Sequence, residues 1–96
     1  MTLRVLRSTR AAAEIREIAI YLEEHSQQAA QRFLGTLERA ERQLSQFPDS
    51  GAPGLVPSTR QLILGNYVVS YRRRGNNVEI FAVRHARRRD ERTDDT

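Results

Sequence analysis

From Ala11 to Phe47 the apolar residues of this chain recur every three or four positions, and after Thr59 they alternate. A chain patterned this way packs helices against strands. In the first periodic segment Ala11, Ile15, Ile18 and Leu22 stand 4, 3 and 4 apart, one face of a helix reaching about Glu24. Ser8 and Thr9 are candidate N-caps, and Ala11-Ala12-Ala13 favours helix. His25-Ser26 is a tight break, and Ser26 can cap a second helix. That second segment carries Ala30, Phe33, Leu37, Ala40, Leu44 and Phe47 at spacings of 3, 4, 3, 4 and 3, flanked by a Glu38/Arg42 pair. Pro48 stops it. Amphipathic helices joined by so short a loop lie nearly antiparallel, which predicts an α-hairpin.

Strand patterning surrounds this hairpin. Leu3 to Arg7 is a short β-prone run ahead of it. Asp49 to Ser58 holds two glycines and two prolines and reads as a loop. Three β runs come after it, Arg60 to Leu64, Tyr67 to Arg73 and Val78 to Arg84, punctuated by Gly65-Asn66 and Gly75-Asn76-Asn77. The expected class is α+β, ordered β-α-α-β-β-β, with the helical hairpin on a mainly antiparallel sheet. The position of the first strand is left open. Alternation places Tyr67, Val69 and Tyr71 on one face of the middle run. In the last run it groups Glu79 with Phe81, Val83 and His85.

The 96 residues make one domain, expected over 1–89, with a polar and flexible tail over 90–96. Leu, Ile, Val and Phe number 23 of 96, enough for one modest core. Cysteine is absent, which excludes disulfides and thiolate chemistry. No apolar run approaches the roughly 20 residues of a membrane span, and no signal-peptide core is visible. A cytoplasmic location is expected.

Charge is distributed unevenly. Residues 1–59 hold seven arginines and seven acids; residues 60–92 hold nine arginines against Glu79, Asp90 and Glu91. The whole chain carries +4, and all sixteen basic residues are arginine. Arg84, His85, Arg87, Arg88 and Arg89 lie at or just past the last strand. Such a cluster suits an anionic partner, a nucleic-acid backbone or an acidic protein surface. Its plainer use is to keep a small sheet soluble and block edge pairing. The lack of lysine stems either from a preference for bidentate contacts or from codon bias in a GC-rich genome.

Catalysis has little to draw on. General acid–base work requires a titrating group within hydrogen-bond reach of the reacting proton. Between Asp49 and Glu79 there is no Asp, Glu, Lys, Cys or His. His85 could act as an acid or base, but Glu79 lies six residues away along the same strand, about 20 Å. The plainer role for His85 is a structural hydrogen bond or a partner contact. His25, in the interhelical turn, reads as a capping or solvent residue. No spacing fits a metal site, and no glycine run fits a nucleotide cradle, so no cofactor is expected. Tyr67 and Tyr71 could stack bases, although core packing is the simpler use.

In order and spacing, several segments resemble the toxins of the RelE/ParE superfamily from bacterial type II toxin–antitoxin operons. They are Ala11-Ala12-Ala13-Glu14-Ile15 with Ile18, Tyr21 and Leu22, then Ala29-Ala30-Gln31-Arg32-Phe33, then Leu44 to Gly51. Thr59-Arg60-Gln61-Leu62, Tyr67 to Arg72 and Val78 to Arg87 complete the set, so the likeness runs from Leu3 to about Arg89. It implies one of two targets. ParE-like toxins block DNA gyrase, whereas RelE-like toxins cut mRNA in the ribosomal A site without a metal. The RNase branch carries a Lys or Glu base, phosphate-binding arginines and a Tyr or His near the C-terminus. Here only His85, with Arg84 or Arg87 on the phosphate, matches in part. The absent residues, with the Phe47-Pro48…Gly51 and Tyr67…Tyr71-Arg72 segments, favour the ParE branch. Ala52 departs from it, standing where an arginine often comes after the glycine. The expected contact charges are Arg72, Arg73, Arg74, Arg84, Arg87, Arg88 and Arg89, with His85 as a participant. The resemblance also implies a ParD-like antitoxin partner, with DNA reached indirectly through the complex. A degenerate toxin that only pairs with its antitoxin is the third reading.

Overall fold

A computed structural model describes residues 2–87 of the chain. Arg88, Arg89 and the expected tail over 90–96 lie outside the described residues. The element order is β1 (Arg4–Arg7), α1 (Thr9–His25), α2 (Gln27–Gln46), β2 (Ala52–Pro53), β3 (Thr59–Leu64), β4 (Tyr67–Arg74) and β5 (Asn77–His85). The strands form one sheet in the order β1-β5-β4-β3-β2. β1 runs parallel to β5, and every other pair is antiparallel. The first strand therefore takes the edge beside the last one.

Local chemistry accounts for the helix ends. The Ser8 Oγ accepts the Ala11 N–H at 3.0 Å and opens α1. Ser26 closes α1 by donating its N–H to Leu22 O, and opens α2 by accepting the Ala29 N–H at 3.2 Å. One residue thus terminates one helix and starts the next, which keeps the hairpin turn short. The apolar faces that the periodicity marks, Ala11 and Ile15 on α1 and Phe33, Leu37 and Leu44 on α2, are buried. They meet Val69 and Tyr71 of β4 and Val78, Ile80 and Val83 of β5 in one cluster. Each large aliphatic side chain buried there contributes roughly 1.5–3 kcal/mol.

The segment after α2 is not wholly a loop. Ala52 and Pro53 pair with Gln61 and Arg60 and add a fifth strand of two residues. A sheet edge accepts a proline because its missing N–H faces away from the ladder. Both hairpins between β3, β4 and β5 use two-residue turns, with positive φ at Gly65 (61°) and Gly75 (59°). No positive φ falls on the asparagine after each glycine, the pattern of a type II′ turn.

Strict alternation fails in β5. Ser70 pairs with Ala82 but Tyr71 pairs with Ile80, so Phe81 is an extra residue and forms a bulge. The expected grouping of Glu79, Phe81, Val83 and His85 is therefore incorrect. Val83 joins the helix-side core, and Phe81 and Ala82 line the opposite face. The inserted residue reverses which face each later side chain takes.

Candidate functional site

β4 leaves the core at Tyr71, which is 1% exposed, and Arg72, Arg73 and Arg74 come next as exposed residues. Arg72 stands opposite Glu79 on the outer face of the sheet, away from the helices. Its Nε and Nη2 both lie 2.9 Å from Glu79 Oε1, and Arg74 Nη1 lies 3.6 Å from the same oxygen. One carboxylate thus holds two guanidinium groups and leaves this end cationic. The Arg72 guanidinium also lies over the Phe81 ring, 5.3 Å from its centroid. These contacts fix Arg72 in place before any partner arrives.

Arg84 lies at the other end of β5, opposite Val68. It borders a shallow groove of about 140 Å³ on the outer face, together with Leu55, Val56, Val68, Phe81 and Ala82. Leu55, Val56 and Ile63 are 81%, 60% and 66% exposed. Exposed aliphatics beside an arginine match the composition of a protein-binding surface. Sequence reasoning passed over Leu55 and Val56 as ordinary loop residues. The available signal was two adjacent aliphatics inside a Pro/Gly segment.

His85 faces the other way. It pairs across the strands with Tyr67, and their rings meet edge to face at 5.2 Å and 88°. Tyr67 in turn packs on Phe33 of α2 at 5.0 Å, so His85 ends an aromatic row on the helix side. The His85 Nδ1 accepts the Arg87 backbone N–H at 3.2 Å. Tyr67 and Tyr71 belong to the helix-side core, away from any outer-face partner. His25 is the last residue of α1 rather than part of the turn, with Nδ1 3.0 Å from Tyr21 O and the ring against Tyr21.

The predicted contact residues therefore do not form one patch. The antiparallel register puts Arg72–Arg74 beside the start of β5, while Arg84, His85 and Arg87 stand at its end. Five residues separate Glu79 from Arg84, roughly 16 Å along the strand. Within the second group the sheet divides Arg84 from His85. Arg88 and Arg89 lie outside the described residues.

Likeness to known proteins bears on this geometry. The model of the ParE toxin of the type II toxin–antitoxin system, parDE, matches residues 5–90. The chain belongs to the ParE toxin family. The Sinorhizobium fredii protein Y4kP is 36% identical over 85 residues, covering 86% of this chain and 88% of that protein. Among solved structures, a chain of the chromosomal ParDE system from P. aeruginosa superposes with a TM-score of 0.75 at 20% identity, covering 88% of this chain and 96% of that one. A chain of the Mycobacterium tuberculosis toxin–antitoxin complex RelBE2 gives 0.66 at 20% identity, covering 88% and 92%. At that identity the structural likeness speaks for the fold, two helices on a five-stranded mixed sheet. As a member of the ParE family the chain is the toxin component of a type II toxin–antitoxin module.

Proposed function

We propose that this ParE-family toxin disables DNA gyrase by docking on it, without cleaving RNA, and that a cognate antitoxin neutralises it. The observation that supports this reading is the division of the titratable histidine from the outer-face arginines. An RNase site that used Arg84 would bring it and His85 to one phosphate, yet the strand turns these two to opposite faces. On the outer face the nearest carboxylate to Arg72 is Glu79, which two guanidinium groups already engage. Fixed guanidinium groups beside exposed aliphatics can grip an acidic, partly apolar surface.

The antitoxin reading rests on the family and on charge. Residues 60–92 carry nine arginines against three acids, an excess that an acidic segment can offset. A small protein encoded beside this chain, acidic in its C-terminal half, is the expected partner, and DNA contacts of the complex run through it.

Purified toxin added to gyrase and supercoiled plasmid should block supercoiling and trap cleaved DNA. Normal supercoiling without trapped cleavage removes the proposal. The competing reading, ribosome-dependent mRNA cleavage, requires A-site cuts in translated message that disappear in His85→Ala.

A further inference from the structure

At the end of the sheet away from Arg84, the chain between α2 and β3 borders an open cavity of about 330 Å³. Pro48 and Pro53 form apolar walls, Tyr71 joins them, and Arg60, Arg72, Arg73 and Asp49 supply charge. The walls are tied down from several sides. The Tyr71 hydroxyl donates to Pro48 O at 2.8 Å and accepts the Gly51 N–H at 2.9 Å. Across the cavity the Thr59 hydroxyl donates to Val56 O at 2.6 Å, and Gly54 N–H donates to Thr59 O at 2.8 Å. Ser58 holds a left-handed φ of 67° between these bonds. Strain of that kind persists only where the surroundings enforce it. The cavity is built before any ligand enters.

Its cations are held in position but weakly neutralised. Arg60 Nη1 donates to Gly51 O at 2.8 Å and to Asp49 O at 3.3 Å. Carbonyl oxygens orient a guanidinium without cancelling its charge. The Asp49 carboxylate approaches Arg60 Nε only to 3.6 Å, beyond a good hydrogen bond, and its side chain is 75% exposed. Arg73 has no carboxylate partner among the described residues. Arg72, also in the lining, is engaged by Glu79, so Arg60 and Arg73 share the recess with a single loosely held anion.

We infer that this cavity receives an aspartate or glutamate side chain from the antitoxin, which displaces the Asp49 carboxylate from Arg60 and pairs with Arg60 and Arg73 together. The inference rests on the antitoxin reading above and adds the place and chemistry of one contact. A recess of this volume between two prolines admits a side chain and excludes a duplex backbone. Bonds from two guanidinium groups to one carboxylate are charge-assisted and stronger than neutral ones. Asp49 acts as a stand-in anion that stabilises the free toxin and yields to the partner.

The experiment uses the toxin co-purified with the small protein encoded beside it and measures dissociation of the complex. Arg73→Gln, at an exposed strand end, should weaken the complex about tenfold. Asp49→Asn retains the carbonyl that orients Arg60 and removes the competing carboxylate, so it should tighten the complex about threefold. One antitoxin acid should be non-additive with Arg73→Gln in a double-mutant cycle. A complex whose affinity ignores both substitutions overturns the inference and leaves the antitoxin reading standing. A loss confined to DNA binding by the complex also overturns it. If the unaltered chain forms no complex, the antitoxin reading itself fails and takes the inference with it.

Discussion

Tyr71 joins two segments twenty or more positions apart, because its hydroxyl bonds to Pro48 and Gly51 while its ring lies 1% exposed in the core. Gly51 must remain bare for this. A Cβ there would come within 2.7 Å of both Gln61 O and the Tyr71 hydroxyl. Tyr71→Phe should lower stability by about 1–3 kcal/mol, since it strands a buried N–H and a carbonyl. Chemical denaturation of the two proteins side by side measures this, and equal midpoints would contradict it. That Tyr71 faces the core was legible from alternation with Val69 and Tyr67. Its partners were not, because nothing in a sequence marks which distant backbone groups a buried hydroxyl will meet.

At the scale of elements, β5 decides where functional side chains point. β1 covers only Asn77 to Ile80 of its outer edge. Beyond that, α1 covers the edge: Ser8 Oγ donates to Phe81 O at 3.4 Å, and Glu14 Oε1 accepts the Val83 N–H at 2.9 Å. A helix side chain thus takes the place of a strand. Glu14→Ala should speed hydrogen exchange at the Val83 amide about tenfold, the equivalent of one lost hydrogen bond to a charged acceptor. Unchanged protection would show that the strand edge is held by other means. Helix boundaries and hairpins were readable because caps, periodicity and Gly-Asn turns are local. The bulge at Phe81 was not, because an extra residue exists only relative to the strand it pairs with. The mistaken face assigned to Val83 and His85 has that single cause.

For the molecule as a whole, charge has two places rather than one. Arg72 and Arg74 share Glu79 at one end of the sheet, and Arg84 and Arg87 stand at the other. The N-terminal strand is tied to α2 by Arg7, whose Nε and Nη2 reach the two oxygens of Glu41 at 2.7 and 2.9 Å. The hydrogen bond to Glu41 raises the Arg7 pKa above its ordinary value, outweighing the partial burial that lowers it. A surface whose cations are fixed but exposed grips through electrostatics that salt screens. Raising salt from about 50 to about 200 mM should weaken inhibition of gyrase severalfold while the fold stays intact. The inhibition titration and circular dichroism at each salt concentration check the two halves of that statement. Salt-independent inhibition would point to a grip made by the aliphatic patch.

By itself the sequence determined the helical hairpin, the three-stranded meander, the family and the excess of arginine in the last third. These are properties of spacing, capping and composition, and each is carried by neighbours along the chain. Only the tertiary structure decided that β1 takes the edge beside β5, that His85 faces the helices and Arg84 the outer side, and that Arg60, Arg73 and Asp49 share one recess. Those outcomes depend on strand register and on contacts between residues far apart in the chain, and no local preference encodes either.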